Sequence, residues 1–180
     1  QIEIRELPSH RPKVHTAVVP QVKISGMYKY IAERAAKDER TYIVCPRIED
    51  GDDELTGVEK LYGELKATAL GGFVGCVHGK MRDAEKVAGM NDFKTGKIKV
   101  LVSTTVVEVG IDVPEVTTVV IYDAERYGLS QLHQMRGRVG RGTKESYCFL
   151  VSEHGTPESD ERLKSFCAVS DGFAVSELDF

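Results

Sequence analysis

Residues 73–102 read FVGCVHGKMRDAEKVAGMNDFKTGKIKVLV, and this stretch indicates the fold most directly. It begins with a short apolar run at 73–77 and ends with another at 98–102, as expected for buried strands. Between the two runs, apolar residues recur at helical spacing: Ala84, Val87, Ala88 and Phe93. This spacing predicts a helix over 82–95, and a strand, a helix and a strand in succession are typical of a βαβ unit.

The same alternation continues on both sides of this unit. Further strands are predicted at the apolar runs 14–19, 41–45, 117–121 and 146–151. Further helices are predicted over 24–37 and 57–70, where apolar residues again recur at helical spacing. Alternating strands and helices predict a doubly wound, three-layer α/β/α domain with a mainly parallel sheet. In such a fold the binding residues lie at the carboxyl ends of the strands.

The composition is that of an ordinary globular protein. The chain has 180 residues, of which 41% are hydrophobic and 29% charged, which suits one domain with one core. Its apolar runs are too short to span a bilayer and no signal peptide is visible, so we expect a cytoplasmic protein without a membrane partner. The four cysteines have no metal-type or paired spacing, so we expect reduced, buried thiols and no metal site.

Positive charge is concentrated in one segment of a chain whose formal net charge is -4. Residues 49–54 read EDGDDE and predict an exposed loop. Residues 126–144, in contrast, contain no acid and five basic residues: Arg126, Arg136, Arg138, Arg141 and Lys144. This basic segment is therefore the part of the chain best suited to bind an anion.

The basic segment also contains the most informative pattern, QLHQMRGRVGR at 131–141. Three apolar residues at helical spacing are predicted to face the core: Leu129, Leu132 and Met135. Gln131 and Gln134 then share another face, and after a glycine Arg138 and Arg141 can point the same way. Two guanidiniums on one turn are able to clamp a triphosphate. The alternative is a solvated basic turn at the end of a helix.

A loop that could hold that triphosphate is missing from the sequence. Gly79-Lys80 is followed by Met81 and Gly96-Lys97 by Ile98, so neither pair continues into the Ser or Thr that binds magnesium in a phosphate loop. The run VVIYD at 119–123 imitates a strand with a magnesium-binding Asp. Without a phosphate loop, we predict a strand followed by an Asp turn.

The pattern Gln134-x-x-Gly137-Arg138-x-x-Arg141 resembles the sixth motif of superfamily 2 helicases, and the sequence is similar to the second motor domain of RecG-type ATP-dependent DNA helicases. The resemblance implies a RecA-like domain in which Arg138 and Arg141 are arginine fingers for a γ-phosphate on the first motor domain. Gln134 would help couple the two domains. ATP and magnesium would be bound mainly by that first domain.

A second match is VSTTVVEVGIDVP at 102–114, which resembles helicase motif V. By this resemblance Gly110 and Asp112 lie near the nucleotide. Ser103 and Thr104 follow the predicted strand, and the Thr104 hydroxyl is a candidate donor to a DNA phosphate or, alternatively, a cap for the next helix.

A third match, His78-Gly79-Lys80, is similar to a loop between motifs IV and V, and implies contact with the DNA backbone without sequence choice. The alternative for an exposed Lys80 is simple solvation.

The resemblance extends from about Leu7 to Phe180 and implies three parts. Residues 1–13 would be a linker from the first motor domain, residues 14–156 the RecA-like domain, and residues 157–180 the start of a truncated helical hairpin. Because the sequence begins at Gln1, we expect a fragment of a longer polypeptide. Its partners would be branched or duplex DNA and, in the same polypeptide, the first motor domain and a DNA-binding domain.

The implied function is that of one half of a DNA helicase or translocase that remodels branched DNA in repair and recombination. Alone, the chain should be a monomer without ATPase activity. Three alternatives remain open at this point: a non-catalytic nucleic-acid-binding module, the equivalent domain of a transcription-repair coupling factor, and an RNA helicase.

Overall fold

The computed structural model of the chain describes residues 14–45, 53–104, 113, 115–140 and 144–169. Within them one sheet contains six strands: β1 Val14–Val18, β2 Arg40–Cys45, β3 Val74–Val77, β4 Val100–Thr104, β5 Val116–Tyr122 and β6 Ser146–Val151. The α-helices are α1 Ile24–Ala36, α2 Asp53–Lys66, α3 Asp83–Thr95, α4 Leu129–Arg136 and α5 Pro157–Val169. Short 3-10 helices at Gln21–Lys23 and Ala124–Arg126 precede α1 and α4.

The strands lie in the order β1-β6-β5-β2-β4-β3, and every pairing between them is parallel. This order confirms the predicted doubly wound sheet. From β2 the chain proceeds through α2 to β3 on one side, whereas from β5 it proceeds through α4 to β6 on the other. The carboxyl ends of all six described strands therefore meet at one edge, which we call the carboxyl edge.

Two apolar cores, one on each face of the sheet, make the domain three-layered. On one face, α3, α4 and α5 contribute buried side chains to the first core: Met90, Phe93, Leu132, Met135, Leu163 and Phe166. On the other face, α1 and α2 contribute to the second core: Met27, Ile31, Val58 and Leu65. The central strands are buried on both faces, which explains why their sequences are apolar without alternation.

One predicted orientation, that of Leu129, is wrong, although the helices themselves are confirmed. In α3, of the residues at helical spacing, Val87 is 67% exposed, and the inner face is formed by Phe93 together with Met90. Leu129 was predicted to face the core, but it is 41% exposed. It is the first residue of α4, and since helical side chains lean toward the N-terminus, that of Leu129 extends past the helix end rather than onto the sheet.

A buried charge network stabilises the opposite, amino edge of the sheet. Glu39, 4% exposed, accepts hydrogen bonds from Arg34 Nε at 3.0 Å and from Thr117 Oγ1 at 2.8 Å, and Lys144 Nζ lies 3.5 Å from it. These partners come from α1, β5 and the segment before β6, so the network ties the helix layer of α1 to the sheet. A buried carboxylate with several donors is satisfied and stabilises one arrangement of the chain.

The described cysteines are all free, and Cys45 and Cys148 are buried. Burial raises the pKa of each of these two thiols to about 12, so they are neutral at physiological pH. None of the described helices combines the length and apolar character that crossing a membrane requires.

Helix α5 packs on the sheet through Leu163 and Phe166 of the first core. The helix lies beside β1. The division of the chain at residue 157 into the domain and the start of a helical hairpin stays a prediction. The linker at 1–13 and the segment 170–180 lie outside the described residues.

Candidate functional site

Helix α4 positions the first residues of the site. It begins after Gly128, whose backbone N–H donates to Gln131 Oε1 at 3.1 Å, and this bond satisfies one of the free donors at the helix start. Leu132 and Met135 anchor the helix in the core. Gln131 and Gln134 are exposed on its other side, as predicted.

A pocket of about 220 Å³ lies between this exposed side of α4 and the carboxyl-end halves of β2 and β4. It is lined by Tyr42, Val44, Thr104, Gln131, Gln134, Met135 and Arg138. Thr104 is the last residue of β4, so the pocket lies at the carboxyl edge, where the fold predicts ligands. The structure thus brings together three residues that the sequence assigned to separate motifs or roles: Gln134, Arg138 and Thr104.

The described lining of this pocket carries positive charge. Among the described residues, it contains one guanidinium, two side-chain amides and two hydroxyls, and no acidic residue. Arg138 is exposed at its border, so the guanidinium is not enclosed in the core. A set of donors without a carboxylate suits an oxyanion such as phosphate.

Arg136, two residues before Arg138, contacts the core side of the domain instead of the pocket. Its guanidinium donates to Thr16 Oγ1 at 3.3 Å and to the Phe166 carbonyl at 3.2 Å, and it stacks 4.0 Å from the centre of the Phe166 ring. It also donates to His133 Nδ1 at 2.8 Å. Burial lowers the pKa of Arg136 from its ordinary value. Arg136 therefore joins α4 to β1 and α5 and does not line the pocket.

The turn that follows α4 depends on Gly140. Its φ is +82°, in the left-handed region, and a Cβ there would lie 2.7 Å from Val14 Cγ2. Its N–H donates to Ser146 Oγ at 3.1 Å. Only glycine fits this combination of conformation and close approach. The turn after Arg138 is thereby held against β1 and β6.

The predicted DNA-contacting residues lie at the ends of β3 and β4. Gly79 and Lys80 are exposed, whereas His78 is 4% exposed, with its Nε2 atom 3.8 Å from Glu59 Oε2. Ser103 is fully buried. In this arrangement, direct contact with a DNA backbone falls to the Gly79-Lys80 loop, and the DNA role of these residues stays a prediction.

Three predicted site residues lie outside the described residues: Gly110, Asp112 and Arg141. The strand at 119–123 ends as predicted, because β5 stops at Tyr122 and Asp123 adopts a turn with φ 51°. Burial raises the pKa of the Asp123 carboxyl. Within the described part of the chain, no group of three or more His, Cys, Asp or Glu side chains is placed to hold a metal ion.

Four residues of the described pocket lining are not assigned to the site from the sequence: Tyr42, Val44, Gln131 and Met135. Two of them, Gln131 and Tyr42, carry polar groups; the sequence places Gln131 on the face of Gln134 and gives neither residue a role in the site. The spacing of Gln131, Gln134 and Arg138, at i, i+3 and i+7, is the signal that could have identified the full stripe. Tyr42 had no such signal, because its place depends on β2 lying beside β4.

Comparisons with known proteins show the family and the fold of the chain. The family model described as helicase conserved C-terminal domain matches residues 22–143. An ATP-dependent DNA helicase RecG from Synechocystis is 41% identical over 180 residues, covering 98% of this chain and 22% of that protein. A solved structure of RecG bound to a three-way DNA junction is 39% identical with a TM-score of 0.68, covering 87% of this chain and 20% of that one. The C-terminal domain of the DEAD-box protein Dbp5, at 21% identity and a TM-score of 0.62, shares the fold, with coverage of 93% and 91%. The chain thus spans about a fifth of the length of its RecG relatives.

Proposed function

The chain belongs to the family of helicase conserved C-terminal domains, and we propose that it is the second motor domain of a RecG-type ATP-dependent DNA helicase. The observation behind this proposal is that Gln134 and Arg138 line one positive pocket at the carboxyl edge. Such a surface is half of a nucleotide site. The other half, with ATP and magnesium, would belong to a first motor domain of the same polypeptide.

In this proposal ATP supplies the phosphoryl group that is transferred to water, and the residues of this chain stabilise its charge. In this proposal Arg138 reaches across the cleft when the two domains close, and Arg141 of the same motif acts with it. A guanidinium that meets the phosphate only in the closed state stabilises charge that grows in the transition state. In this proposal Gln134 couples the two domains from the same pocket, and Gly110 and Asp112 contact the nucleotide.

In this proposal the two motor domains move along DNA. The relatives named above are DNA helicases, and one of them was solved with a three-way DNA junction, which favours branched DNA over RNA. The exposed Gly79-Lys80 loop follows the DNA backbone, with Lys80 neutralising a phosphate. The buried residues His78, Ser103 and Thr104 support this edge from behind rather than contacting DNA directly. We place this activity in DNA repair and recombination, in a cytoplasmic monomer.

The test of the motor proposal is the ATPase rate of the full-length polypeptide with Arg138→Ala. Loss of an arginine finger should reduce DNA-stimulated turnover by about 10³-fold or more. The matched control is Arg126→Ala, an exposed arginine of the same basic segment that does not line the pocket. The 180-residue chain alone should show no DNA-stimulated turnover. Normal turnover by Arg138→Ala, or robust turnover by the chain alone, would refute the proposal.

The DNA contact has a separate test. Lys80→Ala should weaken binding of the full-length protein to all DNA sequences alike and reduce the slope of log affinity against log salt by about 1. Lys94→Ala, an exposed lysine at the far end of α3, is the control. An unchanged salt slope in Lys80→Ala would exclude a phosphate contact at this position.

A further inference from the structure

The pocket contains a residue that the proposed function does not use. Gln131 lies one helical turn before Gln134, Arg138 follows in the turn after α4, and all three line the same pocket. The helicase motif begins at Gln134, so the motif assigns no role to Gln131. Its place in the stripe raises the question of which of its side-chain atoms is available to a bound molecule.

The hydrogen bond at the start of α4 answers this question. The Gly128 backbone N–H, 3.1 Å from the Gln131 side chain, can only donate, so the atom that faces it must be the amide oxygen Oε1. The amide nitrogen lies on the other side of the group and carries two hydrogens. A side chain held by one of its atoms also loses less rotamer freedom when the other atom binds.

We propose that Gln131 is a further binding residue of the pocket, and that its amide nitrogen donates a hydrogen bond to an oxygen of the phosphate that Arg138 binds. The inference rests on the proposed function for the identity of that phosphate. Arg138 supplies the charge, and Gln131 and Gln134 supply neutral donors spaced along α4. Together they bind more than one oxygen of the same anion.

A residue that only caps the helix would give the same structure, so the test must separate the two roles. Gln131→Glu does this, because glutamate accepts the Gly128 hydrogen bond as glutamine does in a capping box. The variant loses the amide donor and places a carboxylate beside the anion. Ser130→Glu is the matched control, since it adds the same charge to an exposed neighbour that does not line the pocket.

The experiment titrates the purified chain with inorganic pyrophosphate and follows the side-chain amide signals of Gln131 and Gln134 by NMR. Both signals should shift with one dissociation constant. Gln131→Glu should weaken binding about tenfold or more, the loss of one hydrogen bond to a charged group, while Ser130→Glu changes it by less than about twofold. Thermal unfolding should be the same for wild type and Gln131→Glu.

Several results would overturn the inference. The first is equal binding by Gln131→Glu and Ser130→Glu, and the second is a Gln131 amide that does not respond to pyrophosphate in the wild type. An equal response to malonate would overturn the assignment to phosphate. If Arg138→Met abolishes binding but Gln131→Glu does not, the role of Gln131 fails while the motor proposal stands. The motor proposal itself is decided by turnover of the Arg138→Ala variant.

Discussion

Arg136 and Arg138 are two residues apart in one motif, yet the structure gives them opposite tasks, and this difference is measurable. Replacing Arg136 with Met keeps most of the aliphatic stem and removes the guanidinium. The variant loses hydrogen bonds of 3.3 Å to Thr16 and 3.2 Å to the Phe166 carbonyl, and the stacking at 4.0 Å on the Phe166 ring. It also loses the bond of 2.8 Å to His133 Nδ1, but that bond is exposed, so water replaces it and its net contribution is small. We expect Arg136→Met to lower the free energy of unfolding by about 2–3 kcal/mol: about 1 kcal/mol per hydrogen bond and about 0.5–1 for stacking at a partly exposed site.

The assay is urea unfolding of the purified chain, monitored by circular dichroism. In urea, the loss of about 2–3 kcal/mol should appear as a lower midpoint with an unchanged slope. A thermal melt of the same variant should show a decrease of roughly 5–10 °C in Tm for a domain of this size. Arg138→Met is the matched control, and as an exposed substitution it should change stability by less than about 0.5 kcal/mol. Equal stabilities of the two variants, or a larger loss for Arg138→Met, would refute the division of tasks.

Three further predictions follow from the backbone and the pKa values. Gly140→Ala should lower the free energy of unfolding by about 1–2 kcal/mol in urea, because φ is +82° and a Cβ would lie 2.7 Å from a β1 side chain. Gly137→Ala, at φ -65°, should change it by less than about 0.5 kcal/mol, and equal losses would contradict the argument. Iodoacetamide at about pH 8 should label Cys45 and Cys148 only upon unfolding, since burial raises both thiol pKa values to about 12; rapid labelling of the folded chain would contradict this. Asp123→Asn should stabilise the chain at neutral pH and have little effect below pH 3.8, the ordinary pKa of an aspartate. Burial raises the pKa of this carboxyl in the folded chain, so its ionisation costs stability once the pH rises above 3.8. An equal effect at both pH values would argue against burial as the cause.

The layer structure was predictable because each strand and helix has its own local pattern. The apolar runs at 41–45 and 117–121 became central strands, and the helical spacing over 24–37 became α1. The resemblance to RecG-type helicases, based on short motifs, is confirmed by the comparisons. These features need only neighbouring residues, and a sequence displays neighbours directly.

The orientation of side chains was harder to predict, because it depends on contacts between distant segments. Leu129 has the spacing of a core residue but lies beyond the sheet, and Val87 faces solvent although it shares a helix with Met90. Tyr42 reaches the pocket only because β2 lies beside β4, an order that a sequence does not state. The unequal roles of Arg136 and Arg138 likewise depend on where β1 and α5 pack.

The pairing of β1 has a consequence for how the chain folds. Val14 pairs with Ser146, so the first described strand finds its neighbour only in the last one. During synthesis β1 has no strand partner until β6 has left the ribosome. Contacts so distant in sequence are formed slowly and leave an aggregation-prone edge open in the meantime. The rate-limiting event for this fold should therefore be the pairing of β1 with β6.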